Sequence, residues 1–408
     1  MVRPGVSPVR RALVRPSSRM GAKRPNNTLQ RTTGERIFTD ESTARWRSPP
    51  PLTLRIRRHS GRSMLGKRPN PEPADSPRGT REVLRRRLTI ACLSILLAAA
   101  VLAGLAFWAS RHSYPPMPEL GGKIEHGALE QGGRMRTWIA YLPAEPATYP
   151  ALVIALHSSM GTGQQARAAY GYDFDLLADQ DGFIAVYPQG YEGHWNDGKV
   201  MGPYSAKREN IDDVGFLQAL VHRLVRDHNV DRAHVYVTGI SNGGSMTLCL
   251  AFQTPDFARA YAAVVASVPA PENMAVTPKN EPVSMLIMNG TDDPINPWQG
   301  GDVVLCPVLG NRGPVLSAQA SIDYFRKLAG LEGAPQVTRF PDRDPGDGST
   351  VERSSWSAPG KRSVALYAIQ GGGHSVPHPA MHGWRLLGNS NRDIHAANEI
   401  WKFFQSAP

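Results

Sequence analysis

Cysteine is close to absent. Three thiols in 408 residues rule out a disulfide-built scaffold and any zinc centre assembled mainly from thiolates. Positive charge is missing from most of the chain as well. The net +11 falls entirely to the first 87 residues, which hold 22 Lys/Arg against 6 Asp/Glu, whereas the remaining 321 hold 24 against 29. A mildly acidic body is not built to grip a phosphate backbone, so a nucleic-acid-binding fold is excluded. Residues 1–87 also lack any sustained apolar period of 3.6 or 2 residues. Rich in Arg, Pro and Ser, they bury too little apolar surface to offset chain entropy and are expected to be a disordered basic tail. Met64, inside that tail, is an alternative start.

Long hydrophobic runs are likewise scarce, with one exception. Residues 88–110 carry no charge and reach about 35 Å as a helix, enough to cross a ~30 Å hydrocarbon core. Arg85, Arg86 and Arg87 precede the run and put its amino-terminal side in the cytoplasm; Trp108 marks the far interface. An uncleaved transmembrane signal anchor is expected, with a cleaved signal peptide as the alternative. In either case the rest of the chain faces the periplasm or the exterior. Cys249 and Cys306 are then the two thiols in an oxidising space, either paired or separately buried.

Beyond a linker at 111–118, the segment KIEHGALEQGGRMRTWIAYLP reads as two strands around a Gly-Gly turn. Six short apolar runs follow, at 151–156, 183–188, 234–239, 261–267, 283–290 and 363–370. Segments of helical period, such as VGFLQALVHRLVRDH and SAQASIDYFRKLAG, separate them. Runs apolar throughout suit strands covered on both faces. Residues 119–408 are therefore expected to form one α/β domain, a mostly parallel central sheet with helices on both faces.

Reactive residues cluster at three strand ends, where open α/β sheets place their chemistry. Gly239-Ile240-Ser241-Asn242-Gly243 is a G-x-S-x-G between a strand and a helix, which holds a serine hydroxyl out of the sheet. Asn289-Gly290-Thr291-Asp292-Asp293-Pro294 offers a carboxylate to orient an imidazole; spacing alone leaves Asp292 and Asp293 both open. Gly371-Gly372-Gly373-His374 supplies the imidazole. In that chain order Ser241 would attack an acyl carbon and His374 would take and return the proton. Backbone N–H groups of Asn242 and Ser158 are the expected oxyanion donors. His374, His378 and His382 recur every four residues, and His395 lies near, but Pro377 and Pro379 forbid a regular helix there. No metal and no cofactor is expected.

These residues resemble the polyhydroxybutyrate depolymerase-type esterases, α/β-hydrolases that share a superfamily with feruloyl and acetylxylan esterases. The resemblance runs from about Gly122 to Phe404. It is carried by GGRMRTWIAYLPA, ALVIALHSSMGTG, YPQGYEGHWNDGK, NIDDVGFLQALV, RAHVYVTGISNGGSM, MNGTDDPINP, GGGHSVP and SNRDIHAANEIWKFF. It implies the α/β-hydrolase fold, with Ser241 as nucleophile, Asp293, directly before proline, as the acid, and His374 as base. It further implies substrate contact near His157, Trp195 and Asn196, with structural roles equally open for Trp195, Asn196, Asp212 and Asp213. Two positions depart from the family pattern. His157 is followed by Ser158 where glycine is usual, and Val376 stands where tryptophan is usual, which implies a wider pocket.

The expected function is a serine esterase acting on small or oligomeric carboxylic esters, without nucleic acid as a partner and with the membrane engaged through 88–110. Feruloyl or acetyl ester hydrolysis, acyl transfer and an inactive binding module on the same scaffold are the alternatives. With no polymer-adsorbing domain or Thr/Ser-rich linker in view, soluble esters are expected rather than polymer granules.

Overall fold

The computed structural model describes residues 77–109, 112–304 and 310–408. Most of the expected basic tail, Met64 and Cys306 lie outside the described residues. The chain order is α1 (Pro77–Ala109), β1 (Lys123–Gln131), β2 (Arg134–Leu142), β3 (Leu152–Leu156), α2 (Gly163–Ala169), α3 (Asp173–Asp181) and β4 (Ile184–Pro188). Next come α4 (Ser205–Arg208), α5 (Asp213–His228), β5 (Val235–Ile240), α6 (Asn242–Gln253), β6 (Ala260–Val264), β7 (Ser284–Gly290), β8 (Gly301–Val304) and β9 (Asn311–Val315). The last elements are α7 (Ala318–Leu328), β10 (Gln336–Arg339), β11 (Thr350–Trp356), β12 (Val364–Gln370) and α8 (Ala396–Ser406).

Helix α1 begins at Pro77, ahead of the expected boundary at residue 88, so the arginine cluster belongs to the helix and not to a disordered segment. Within it, Arg81–Leu105 is long and apolar enough to cross a membrane by length and composition. Its leucines and isoleucines are exposed and not packed into a core.

Ten strands form one sheet in the order β1-β2-β4-β3-β5-β6-β7-β12-β11-β10. The six apolar runs are its parallel centre, β4 to β12. Antiparallel strands close both edges. Because successive strand residues face opposite sides, the centre builds two cores. Leu152, Ile154, Val237 and Ile287 pack with helices α5, α6 and α7. Val153, Ala155, Tyr236 and Leu286 pack with α2, α3 and α8. The β1–β2 turn uses Gly132 and Gly133 at φ 58° and 72°, the left-handed pair a two-residue hairpin requires. Asp212 caps α5 through Gly215 N–H, and Ser317 caps α7 through Ala320 N–H, each satisfying an otherwise orphaned donor. Strands β10 and β11 gave no apolar run because most of their side chains stay at least partly in solvent, and one-sided burial spaces apolar residues out.

Since none of the described side chains of α1 is buried in either core, a chain shortened to begin at Pro115 should fold, remain soluble and keep the thermal midpoint of the full chain. Calorimetry checks this; an insoluble or destabilised product would make α1 part of the fold.

Candidate functional site

The parallel centre delivers its carboxyl ends to one side, and the site is built there. Strand β5 ends at Ile240 and α6 starts at Asn242, leaving Ser241 to make the whole turn at φ 56°, ψ −112°. That conformation costs a non-glycine residue roughly 1–3 kcal/mol. It is held from both sides: Ser241 N–H donates to Val264 O at 2.8 Å, and Ser245 N–H donates to Ser241 O at 2.8 Å. Gly243 is required by proximity. A Cβ there would lie 2.5 Å from Leu156 O and 2.6 Å from His157 O, so only glycine lets α6 start against the end of β3.

The strand ends bring three of the expected residues together. His374 Nε2 lies 3.0 Å from Ser241 Oγ, and His374 Nδ1 lies 2.7 Å from Asp293 Oδ2. Asp293 Oδ1 accepts the N–H groups of Ile295 and Asn296 at 2.8 and 2.9 Å, which fixes the carboxylate. With Nδ1–H committed to Asp293, the lone pair of Nε2 faces the serine hydroxyl. Asp292 is exposed, and among the described residues its carboxylate accepts from the Thr291 hydroxyl and makes no contact with His374. Gly290, where a Cβ would meet Gly372 O at 2.2 Å, lets the β7 and β12 loops approach closely enough for this pairing.

Asn242 is the first residue of α6, so its N–H has no intrahelical carbonyl and points out of the helix end. Ser158 follows β3. Its carbonyl accepts from Gly161 N–H at 3.1 Å and from His157 Nδ1 at 2.8 Å. Its φ is not positive, so serine replaces the usual glycine without backbone strain.

The polar atoms of three residues expected at the substrate are engaged by the protein's own backbone and side chains. His157 is buried; Gly190 N–H donates to its Nε2 at 2.8 Å, which leaves Nδ1 as the donor to Ser158 O. Trp195 is also buried, and its indole N–H donates to His157 O at 3.0 Å. Asn196 donates to Asn210 Oδ1 and Ile211 O, while its N–H is held by Asp213 Oδ2 at 2.7 Å. Asp213 in turn pairs with Arg136 at 2.6 Å, both buried. Burial raises the Asp213 carboxyl above its ordinary value, with Arg136 opposing. The Asn242 side chain joins the lattice, accepting from Trp195 N–H at 2.8 Å and donating to Asp197 Oδ2 at 2.9 Å. These contacts brace the loops around Ser241.

A cavity of about 40 Å³ opens beside Ser241 and His374, room for about three waters. Its walls include Asp197, Lys199 and Ser245, which lie inside the quoted motif segments without having been singled out, and Tyr204, Val265 and Arg312, which lie outside them. Val376, expected to widen the pocket, does not line it; the side chain is buried in the core on the α8 side.

Asp173, His378 and His395 form the one cluster among the described residues with metal-binding potential. His378 Nδ1 accepts from Ala380 N–H at 3.1 Å, so its Nε2 carries the proton and faces Asp173 Oδ2 at 3.5 Å. His395 Nδ1 meets the same oxygen at 2.9 Å. The donor set fits two imidazoles serving one carboxylate better than a cation. His382 stands apart from it, its backbone bridged to Ser113. Cys249 is a buried free thiol, pushed up to about 12 by burial and therefore unreactive.

Residues 137–276 match the family model described as esterase PHB depolymerase. The matched segment contains Ser241 and Asn242 and ends before Asp293 and His374. The chain is 28% identical over 266 residues to the NocK protein of Nocardia uniformis subsp. tsuyamanensis, which carries an esterase name, covering 64% of this chain and 75% of that protein. It is 28% identical over 284 residues to an acetylxylan esterase of Coprinopsis cinerea, covering 64% and 72%. Among solved structures, acetyl xylan esterase from Aspergillus awamori aligns with 70% of this chain and 99% of its own, at 17% identity and a TM-score of 0.46.

Burial holds the His157 imidazole down at about 4, against 6.5 when free. The unfolded chain therefore takes up a proton between pH 6.5 and 4 that the folded chain refuses. Stability is full above that window and falls as pH drops through it, by about 3 kcal/mol in all. Urea unfolding from pH 7 to pH 4 should show this loss, and His157→Gln should show a shallower one. Equal slopes in the two proteins would place the acid sensitivity elsewhere.

Proposed function

We propose that this chain, whose residues 137–276 match the family model of esterase PHB depolymerases, hydrolyses carboxylic esters through an acyl-enzyme on Ser241. The observation that carries the reading is the unbroken relay from Ser241 Oγ through His374 to Asp293, at 3.0 and 2.7 Å. His374 takes the serine proton as Oγ attacks the ester carbonyl and returns it to the leaving alkoxide. Water then attacks the acyl-serine with His374 again as base. Asp293 keeps the productive tautomer and offsets the positive charge that forms on the imidazole. The N–H groups of Asn242 and Ser158 are the proposed donors to the tetrahedral oxyanion, and the amino-terminal end of α6 adds its positive field.

The cavity supports a short acyl group. The narrow closed part of the space, about 40 Å³, supports small acyl groups, with deacylation of acetyl esters as the second reading. We also propose that α1 anchors the chain, with its arginine-rich start in the cytoplasm and the catalytic domain on the periplasmic or exterior side. Its exposed apolar surface and the asymmetry of its charges support this.

The full chain in detergent, assayed on p-nitrophenyl acetate through octanoate and on a feruloyl ester, should favour the shortest acyl groups. Ser241→Ala should lower turnover by about 10⁴-fold or more with little change in thermal midpoint; comparable activity would overturn the mechanism. Asp293→Asn should cost roughly 10³–10⁴-fold, whereas Asp292→Asn should stay within a few-fold, and the reverse ranking would transfer the acid role.

A further inference from the structure

Arg312 is the anomaly in the wall of the cavity beside Ser241. Its residue is 8% exposed, and its Nη1 is buried without a hydrogen-bond partner. A buried guanidinium nitrogen with no acceptor is costly, and native structures rarely keep one without use.

The backbone that carries this side chain is firmly held. Arg312 lies in β9, paired with β8. Its carbonyl accepts from Asn273 Nδ2 at 2.9 Å, and the same amide donates to Pro314 O at 3.1 Å. Ala270 N–H donates to Pro314 O at 3.0 Å. The guanidinium carbon sits 4.9 Å from the centroid of the Tyr204 ring, a cation–π seat that positions a charge without neutralising it.

Among the described residues no neighbouring group supplies the missing anion. Asp197, the one carboxylate in the cavity wall, faces Lys199 Nζ at 3.6 Å and accepts from Asn242 Nδ2 at 2.9 Å. Burial pushes the Tyr204 phenol far up, so its hydroxyl, in hydrogen-bonding reach of Arg312, offers a neutral acceptor and no anion. His194, stacked on Tyr204 at 4.9 Å, is held down chiefly by burial. Lys199 donates to Ser245 Oγ at 2.8 Å, and the Lys207 ammonium donates to Lys199 O, so the second and third cations near the cavity have acceptors. Two positive charges and one negative charge line a space next to the serine, and the surplus is on Arg312.

We propose that Arg312 is a specificity-determining residue that binds a carboxylate of the substrate, so that the preferred esters are short and carry a free carboxylate beside the scissile bond. A guanidinium in the wall of a small, partly closed space, with one nitrogen still lacking an acceptor, suits a planar carboxylate accepting two N–H bonds. The inference rests on the esterase reading and narrows its substrate class from short esters to short anionic ones.

The test compares the full chain with Arg312→Gln and Arg312→Lys on two matched pairs. Monoethyl succinate against ethyl pentanoate puts the charge on the acyl side. 4-Acetoxybutyrate against butyl acetate puts it on the alcohol side. Wild type should show higher kcat/KM for the charged member of at least one pair, and that pair assigns the side. Arg312→Gln should lose about 10–100-fold on that member and at most about 3-fold on its neutral partner, with the loss mainly in KM. Arg312→Lys should recover part of it. Equal losses on charged and neutral esters, or no preference in wild type, would overturn the inference while leaving a Ser241-dependent esterase standing. Turnover that survives Ser241→Ala, or turnover of none of the four esters and of no p-nitrophenyl ester, would overturn the esterase reading itself and this inference with it.

Discussion

The closeness with which α6 starts against the end of β3 governs the site. Gly243 has no room for a Cβ between the carbonyls of Leu156 and His157, and that contact puts the first N–H groups of α6 beside the loop that follows β3. Much else follows from it. The Asn242 side chain reaches the 195–197 loop, Trp195 reaches back to His157 O, and His157 ties Ser158 to Gly190. Each bond uses a polar atom that would otherwise be buried unsatisfied, so the loops carrying the proposed oxyanion donors are rigid because their interior is hydrogen-bonded. The Arg136–Asp213 ion pair extends the same bracing to the hairpin edge of the sheet.

The fold was legible where burial was two-sided. The six apolar runs mark the parallel centre because a strand covered on both faces has no polar register to interrupt it. The edge strands β10 and β11 were invisible for the opposite reason: their Thr, Arg, Glu and Ser residues read as loop. At the candidate site, two of the three side chains that come together were legible because a serine between glycines after a strand, and a histidine after three glycines, are locally specific patterns. What spacing left open between Asp292 and Asp293 is a matter of a single turn: the backbone N–H groups of Ile295 and Asn296 hold the second carboxylate toward the imidazole and not the first.

Residue identity was a poorer guide to use. His157, Trp195 and Asn196 stand in motif segments, yet their polar atoms face inward, which no spacing rule encodes. Arg312 lies in the stretch NRGPV, which has neither helical nor strand periodicity to flag it. Its position beside Ser241 arises from a two-stranded ribbon and a buried asparagine more than thirty residues earlier in the chain. The walls that select a substrate thus come from segments distant in sequence, whereas the reacting groups come from short strand-end motifs.

Ser241 at φ 56° has a neighbour in the same condition: Val265, in the cavity wall, sits at φ 48°, a conformation a β-branched residue seldom adopts. Both are clamped by strand-end hydrogen bonds, Ser241 N–H to Val264 O and Val265 N–H to Met288 O, each at 2.8 Å. The sheet's cohesion therefore holds two unfavourable backbone states side by side, of the order of a few kcal/mol together. Stability and chemistry compete at this point of the molecule. Glycine would relieve either residue at once, so a search for thermal robustness alone would drift toward glycine at 241 and remove the hydroxyl that faces His374.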